Sequence, residues 1–180
     1  MPLLNSVTTP YAEAFLQVSE ELNQTEEIVS QSKEILSLLK DSPELEKALA
    51  SPILEKDSKK AIIVELFSGK INQSLLNLLK LLADRQRIGI LVPILERFLE
   101  LYRENSNIAL ATVTSAVELS EEQINLLSKK ISAIAGTEKL ELVTKTDSTL
   151  IGGFVASVGS KVIDASLASQ IRKLGLSLSK

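Results

Sequence analysis

The hydrophobic positions in the first part of the chain recur with the period of an α-helix. Tyr11, Ala14, Phe15, Val18 and Leu22 fall at i, i+3, i+4, i+7 and i+11, which places them on one helical face. Thr9 and Pro10 precede them as an N-cap and first-turn pair, so a first helix is expected to open there. Asn23, with Glu26 three residues on, looks like the cap of a second helix whose stripe is Ile28, Ile35, Leu36 and Leu39. Ser42-Pro43 starts a short third helix through Ala50, and Ser51-Pro52 breaks it. Asp57 is read as the cap of a fourth helix, carrying Ile62, Ile63, Leu66 and Phe67, which Gly69 ends in a left-handed conformation. A fifth helix, from about Ile71 to Ala83, carries Leu75, Leu78, Leu79 and Leu82. A sixth carries Ile88, Leu91, Val92, Leu95, Leu99 and Tyr102. Pro93 inside that pattern either kinks the helix or marks its real start, because its ring displaces one backbone hydrogen bond.

The period changes after Asn107. Ile108 to Thr114 is short and β-branched, as a strand would be. Ser120 and Gln123 then form an S-x-x-Q capping box for a helix that carries Ile124, Leu127, Ile131 and Ile134 and stops at Gly136. Leu140 to Thr144 alternates as a strand. Phe154 to Val158 and Lys161 to Ile163 flank Gly159-Ser160, a two-residue hairpin signal. Leu167, Ile171, Leu174 and Leu178 mark a closing amphipathic helix. The expected fold is mostly α: an N-terminal helical bundle over residues 1–105, followed by a small α+β domain over residues 106–180.

Composition narrows what such a chain does. Aromatic residues make up only 3%, so the core must be aliphatic. With no Cys and no His, disulfides, Cys/His zinc sites and His-based catalysis are excluded. The formal net charge is −3 and neither half carries a basic footprint, which argues against a nucleic-acid partner. The start of the chain shows no secretory signal. The Leu-rich stretch from Ile71 to Leu82 is too short to span a bilayer, so any membrane association is expected through partners.

Few motifs carry chemistry. Gly152-Gly153 with Gly159-Ser160-Lys161 superficially suggests a phosphate loop, but the spacing is wrong and the segment reads as strand, turn and strand. Glu26-Glu27 and Glu121-Glu122 lie in first turns of helices, where the dipole favours negative charge over acid–base duty. Asp164 lies between a strand and a helix and is placed to cap that helix through Ser166 or through the helix's own amides. Arg85 and Arg87, flanking Gln86, read as a solvated connection unless a partner supplies carboxylates. The fifth helix is unusually apolar: Leu75, Leu76, Leu78, Leu79, Leu81 and Leu82 cover well over one face. Such a helix is either buried on several sides or binds something.

Several of these segments resemble a known family. Thr9-Pro10-Tyr11-Ala12-Glu13-Ala14-Phe15 resembles the opening helix of F-type ATP synthase delta subunits, whose mitochondrial relative is the oligomycin-sensitivity-conferring protein. Leu78 to Ile88 resembles the family's central Leu-rich helix and basic turn. Leu150-Ile151-Gly152-Gly153-Phe154, with Gly159 to Ser166, is similar to its C-terminal signature. Two positions depart from the pattern: Ser148 follows Asp147 where the family often has Pro, and Leu167 to Ile171 replaces a segment that often begins with Arg. The segment Leu174 to Leu178 is similar to the cyanobacterial and plastid branch.

The resemblance implies a non-catalytic stator subunit without cofactors that links the catalytic head to the peripheral stalk. It implies a six-helix N-terminal domain that holds the N-terminal helix of an alpha subunit between its first and fifth helices. Tyr11, Ala14, Phe15 and Val18 match the first wall of that groove, and Leu75, Leu78, Leu79 and Leu82 the second. Which of the eight are core and which face a partner is left open by a single stripe. The same reading expects Phe15→Asp to weaken head binding without unfolding the chain. The C-terminal domain is implied to bind the ends of peripheral-stalk b-type subunits. The implied location is peripheral to an energy-transducing membrane, the thylakoid, on its cytoplasmic or stromal side. Two other classes compete: an adaptor in a different assembly, such as a ribosome or chaperone complex, and a hydrolase working with carboxylates alone.

Overall fold

The computed structural model describes residues 2–137 and 139–178. The chain is mostly helical with one four-stranded sheet, and divides into two compact units, Met1–Tyr102 and Arg103–Lys180.

The first unit is built from α1 (Pro2–Glu21), α2 (Thr25–Asp41), α3 (Pro43–Ala50), α4 (Lys56–Phe67), α5 (Gln73–Asp84), a 3-10 turn (Ile88–Ile90) and α6 (Leu91–Asn105). The division falls inside the last turns of α6. Three of the expected helix starts are corrected. Thr9-Pro10 does not open α1, which begins at Pro2 and carries Pro10 in its interior. Pro10 lies on the exposed side, where loss of one intrahelical bond costs least. Asn23 does not cap α2; it ends α1. Its φ is +54°, its N–H donates to the Glu20 carbonyl, and the Gln24 N–H donates to the Ser19 carbonyl. That is a Schellman closure with Asn in the left-handed position usually given to Gly. Asp57 lies in the first turn of α4 but makes no capping bond; Glu55 is the N-cap, through its backbone. Pro93 sits in the first turn of α6, just after the 3-10 turn, so it marks a start and not a kink.

The interior of this unit is a continuous aliphatic core. Phe98, Ile28, Ile63, Leu75, Leu79, Leu82, Ile94 and Leu95 are fully buried in it. Each such side chain stabilises the fold by about 1.5–3 kcal/mol.

The second unit contains β1 (Ile108–Ser115), α7 (Glu121–Ala135), β2 (Lys139–Thr146), β3 (Phe154–Val158), β4 (Lys161–Asp164) and α8 (Leu167–Leu178). The sheet order is β2-β1-β3-β4. β1 and β2 are parallel, with Ile108 opposite Lys139 and Ser115 opposite Thr146, and α7 supplies the crossover that a parallel pair needs. β3 pairs antiparallel with both β1 and β4. Gly159, at φ +56°, turns the β3–β4 hairpin, which disposes of the phosphate-loop reading in favour of a tight turn. Both bonds of the Ser120/Gln123 capping box form, and Gly136 ends α7 at φ +72°. Asp164 accepts from the Ser166 N–H at 2.9 Å, and Ser166 Oγ accepts from the Ser169 N–H at 3.3 Å, so the two residues together cap α8. A Cβ on Gly153 would collide with the Ala165 carbonyl, so the chain can pass there only as Gly. The core of this unit is Ala111, Val113, Ala156 and Val158 from the sheet, with Ile131 from α7. The expected stripe positions Leu174 and Leu178 lie outside the residues whose side chains are described.

Candidate functional site

The site follows from how α1 and α5 are pinned together. At one end Arg87, just past α5, donates from Nη1 to the Tyr11 hydroxyl at 2.9 Å, with its guanidinium 6.0 Å from the ring centre. At the other, Asn72 caps α5 by accepting from the Ser74 N–H and donates from Nδ2 to Gln24 Oε1 at 3.0 Å. The start of α5 thus meets the end of α1, and the two helices run antiparallel. Asn72 is anchored further by Gln31 Oε1, which accepts from its N–H at 2.6 Å. Arg87 is therefore not merely a solvated connection. Its backbone is fixed too: Gln86, at φ +53°, closes α5 with bonds from the Gln86 and Arg87 N–H groups to the Ala83 and Leu82 carbonyls.

Between the two pins lies a groove of about 270 Å³. Tyr11, Ala14, Phe15 and Val18 of α1 form one wall, and Ser74, Asn77, Leu78 and Leu81 of α5 the other. Phe15 and Leu78 are its floor, only 6% and 7% exposed, while Val18 and Leu81 stand on the rims at 42% and 44%.

The structure brings five of the eight expected residues together: Tyr11, Ala14, Phe15, Val18 and Leu78. It places Leu75, Leu79 and Leu82 elsewhere, fully buried in the core. Ser74, Asn77 and Leu81 line the groove without having been expected there. Leu81 had a signal in the excess apolar density of the fifth helix; the polar Ser74 and Asn77 had none in that pattern. Leu81 belonged to no simple stripe with Leu75, Leu79 and Leu82, because it starts a second face with Leu78, Ser74 and Asn77 at helical spacing.

Phe15 needs a correction of its own. Its ring packs 5.0 Å from that of Phe98, tilted by 49°, so the residue is groove floor and core at once. A carboxylate there would be desolvated against Phe98, and Phe15→Asp is expected to unfold the unit, not to act on binding alone.

The groove holds no acid–base or nucleophilic arrangement. Among the described residues no cluster of metal-binding side chains is found, and no helix is long and apolar enough to cross a membrane. The carboxyl of Asp147 lies in an exposed turn of the second unit. The Thr149 hydroxyl first and the Thr149 N–H second hold it below the usual carboxylate range. What the groove offers is a preformed apolar trough with small and amide side chains beside it, the surface an amphipathic helix needs.

Along nearly its whole length the chain is similar to known proteins. A family model described as ATP synthase delta (OSCP) subunit matches residues 7–178. The ATP synthase subunit delta of Prochlorococcus marinus strain AS9601 is 78% identical over 180 residues, 100% of both chains. Its namesake from strain MIT 9303 is 61% identical, over 100% of this chain and 99% of its own. A chain in the cryo-EM structure of the Toxoplasma gondii mitochondrial ATP synthase hexamer shares the fold, with a TM-score of 0.72 at 20% identity, covering 96% of this chain and 97% of that one.

Proposed function

The chain belongs to the ATP synthase delta (OSCP) subunit family, and from that premise we propose that its groove holds the N-terminal helix of an alpha subunit of the catalytic head. It is a peripheral-stalk component of F-type ATP synthase, structural and not catalytic. In the proposed arrangement the first unit acts as a six-helix bundle seated on the head. The second unit binds the C-terminal ends of the b-type stalk subunits. The chain then couples head to stalk and resists rotor torque during proton-driven ATP synthesis. It reaches the membrane only through those partners, and the thylakoid, on its cytoplasmic or stromal side, is the proposed location.

One observation carries the groove assignment. α1 and α5 bury Ala12, Leu16, Leu75, Leu79 and Leu82 inward, yet leave a second apolar face open between them. A helix laid along that trough removes Val18 and Leu81 from water and covers Phe15 and Leu78 completely. Anchors spaced i, i+3 or i+4, and i+7 along the guest helix match the length of wall from Tyr11 to Val18.

Titration with an alpha N-terminal peptide tests this. Val18→Asp and Leu81→Asp each put a charge on a rim that is already wet, so folding should change by less than about 0.5 kcal/mol. Peptide affinity should fall by about tenfold or more, one to three kcal/mol being the usual worth of a buried aliphatic anchor. Unaltered affinity in both variants would remove the groove from consideration.

A further inference from the structure

The facing walls of the trough are apolar, and we infer that Asn72 is the spacer that keeps them apart, acting on α1 through the first turns of α2.

Water drives exposed apolar surfaces together. Val18 and Leu81 stand on opposite rims, and both would gain cover if α1 and α5 closed on each other. A trough that stays open needs something to hold its walls. At one end that is the hydrogen bond from Arg87 to the Tyr11 hydroxyl. At the other end the connection is indirect, and it runs through Asn72.

Asn72 uses every polar group it has. Its side-chain oxygen accepts from the Ser74 N–H at 2.9 Å, and its carbonyl accepts from the Leu76 N–H, so α5 starts on it. Its Nδ2 donates to Gln24 Oε1 at 3.0 Å and to Glu27 Oε2 at 3.1 Å. Its backbone N–H donates to Gln31 Oε1 at 2.6 Å. Gln31 closes a ring by donating from Nε2 to Glu27 Oε1 at 3.0 Å. Gln24, Glu27 and Gln31 follow one another at helical spacing, so one side of α2 is turned toward Asn72.

α2 is fastened in turn to α1. The Gln24 N–H donates to the Ser19 carbonyl, and the Thr25 hydroxyl donates to Ser19 Oγ at 3.3 Å. Ser19 is fully buried, and its Oγ donates to the Leu16 carbonyl at 2.7 Å. The separation of α1 and α5 is thus set by a path from α5 through Asn72, α2 and Ser19 to α1. None of the four side chains in the Asn72 network lines the trough; Gln24 and Glu27 border a separate concavity. Hydrogen bonds tolerate only a few tenths of an ångström of stretch, so α5 cannot approach α1 without breaking them. Asn suits both tasks. Ser or Asp would cap α5 equally well, but neither supplies the Nδ2 donor.

The chain has no Cys, so nitroxide pairs can be placed across each end of the trough. Labels on Leu22→Cys and Gln73→Cys, both exposed, report the Asn72 end. Labels on Val7→Cys and Arg85→Cys report the Arg87 end. Asn72→Ser keeps the cap and removes the side-chain tie, so Tm should stay within about 3 °C of the parent. The distance distribution of the Leu22/Gln73 pair should nevertheless shift to shorter values and broaden, with the Val7/Arg85 pair unchanged. Gln24→Ala combined with Gln31→Ala leaves Asn72 in place and should give the same shift. Asn72→Asp keeps the cap but sets a second carboxylate against Glu27. It should move the same pair to longer distances, less so as salt rises, which general loosening would not do. No guest helix enters these measurements, so their outcome is independent of the peptide titration above. An unmoved Leu22/Gln73 distribution in Asn72→Ser overturns the spacer role, whatever happens to Tm. An equal change at both ends of the trough overturns it too.

Discussion

Every helix of the first unit contributes large side chains to its core, among them Phe15, Ile28, Leu49, Ile63, Leu79 and Phe98. Among the described residues, the enclosed core of the second is Ala111, Val113, Ala156, Val158 and Ile131. The first unit buries a large aliphatic core and still leaves an apolar groove open between α1 and α5. In the second, partly buried Leu127, Leu140, Leu142, Phe154 and Ile163 pack around that core. This unit also leaves Val117, Ile151 and Val162 largely exposed on its surface. Small cores bury a smaller share of their chain's surface, which makes them sensitive to single changes.

The sharpest way to break this comparison is to cut into each core. Phe98→Ala removes a fully buried ring and its contact with Phe15, at an expected cost of about 3–5 kcal/mol. Urea titration should show the loss in the helical unit, with the sheet signals of the second unit unmoved. If both units melt together, they are not separate cores. Ile131→Ala should cost about 2–5 kcal/mol. The expected result is loss of dispersed sheet amide signals in the second unit while the first stays folded. Survival of those signals would mean that the small core has reserves not apparent from its buried residues.

Finer changes sharpen the picture. Ser120→Ala deletes the side-chain half of the α7 capping box and should cost about 1 kcal/mol by thermal melting. A cost near zero would show that α7 is held by Ile131 packing alone. The smallest effect expected is at Asp147. Its carboxyl titrates lower in the folded chain than in the unfolded one, so it stabilises above the unfolded value. That contribution should fade as pH falls below about 4 through the folded value. An NMR titration of its side-chain carboxyl, set beside Asp147→Asn melts at neutral and acid pH, checks the sign. A midpoint above the ordinary Asp value would contradict the Thr149 bonds as its cause.

Much of the fold was legible in the sequence because its signals are local. The Ser120/Gln123 box, the Gly136 stop, the Gly159-Ser160 hairpin and the Ser42-Pro43 start all act within a few residues. The misread helix starts share a cause. Thr9-Pro10 has the chemistry of a start, but a Pro on a wet face is tolerated within a helix whose neighbours Thr8 and Ala12 are buried. Asn23 is suited both to capping a helix and to the left-handed residue that ends one, and the tight α1–α2 connection chose the second use.

By itself, the sequence determined that this is an aliphatic helical chain with a mixed strand–helix C-terminal part, lacking the side chains for most catalysis. It also determined that α5 carries more apolar surface than one stripe requires. Only the tertiary structure decided how that surface is divided: Leu75, Leu79 and Leu82 inward, Leu78 and Leu81 toward the groove, Phe15 shared between them. A leucine has the same hydrophobicity and helical phase whether its cover comes from its own chain or from another. The distinction exists only once the neighbouring helices are packed, when one face has been sealed and the other has not.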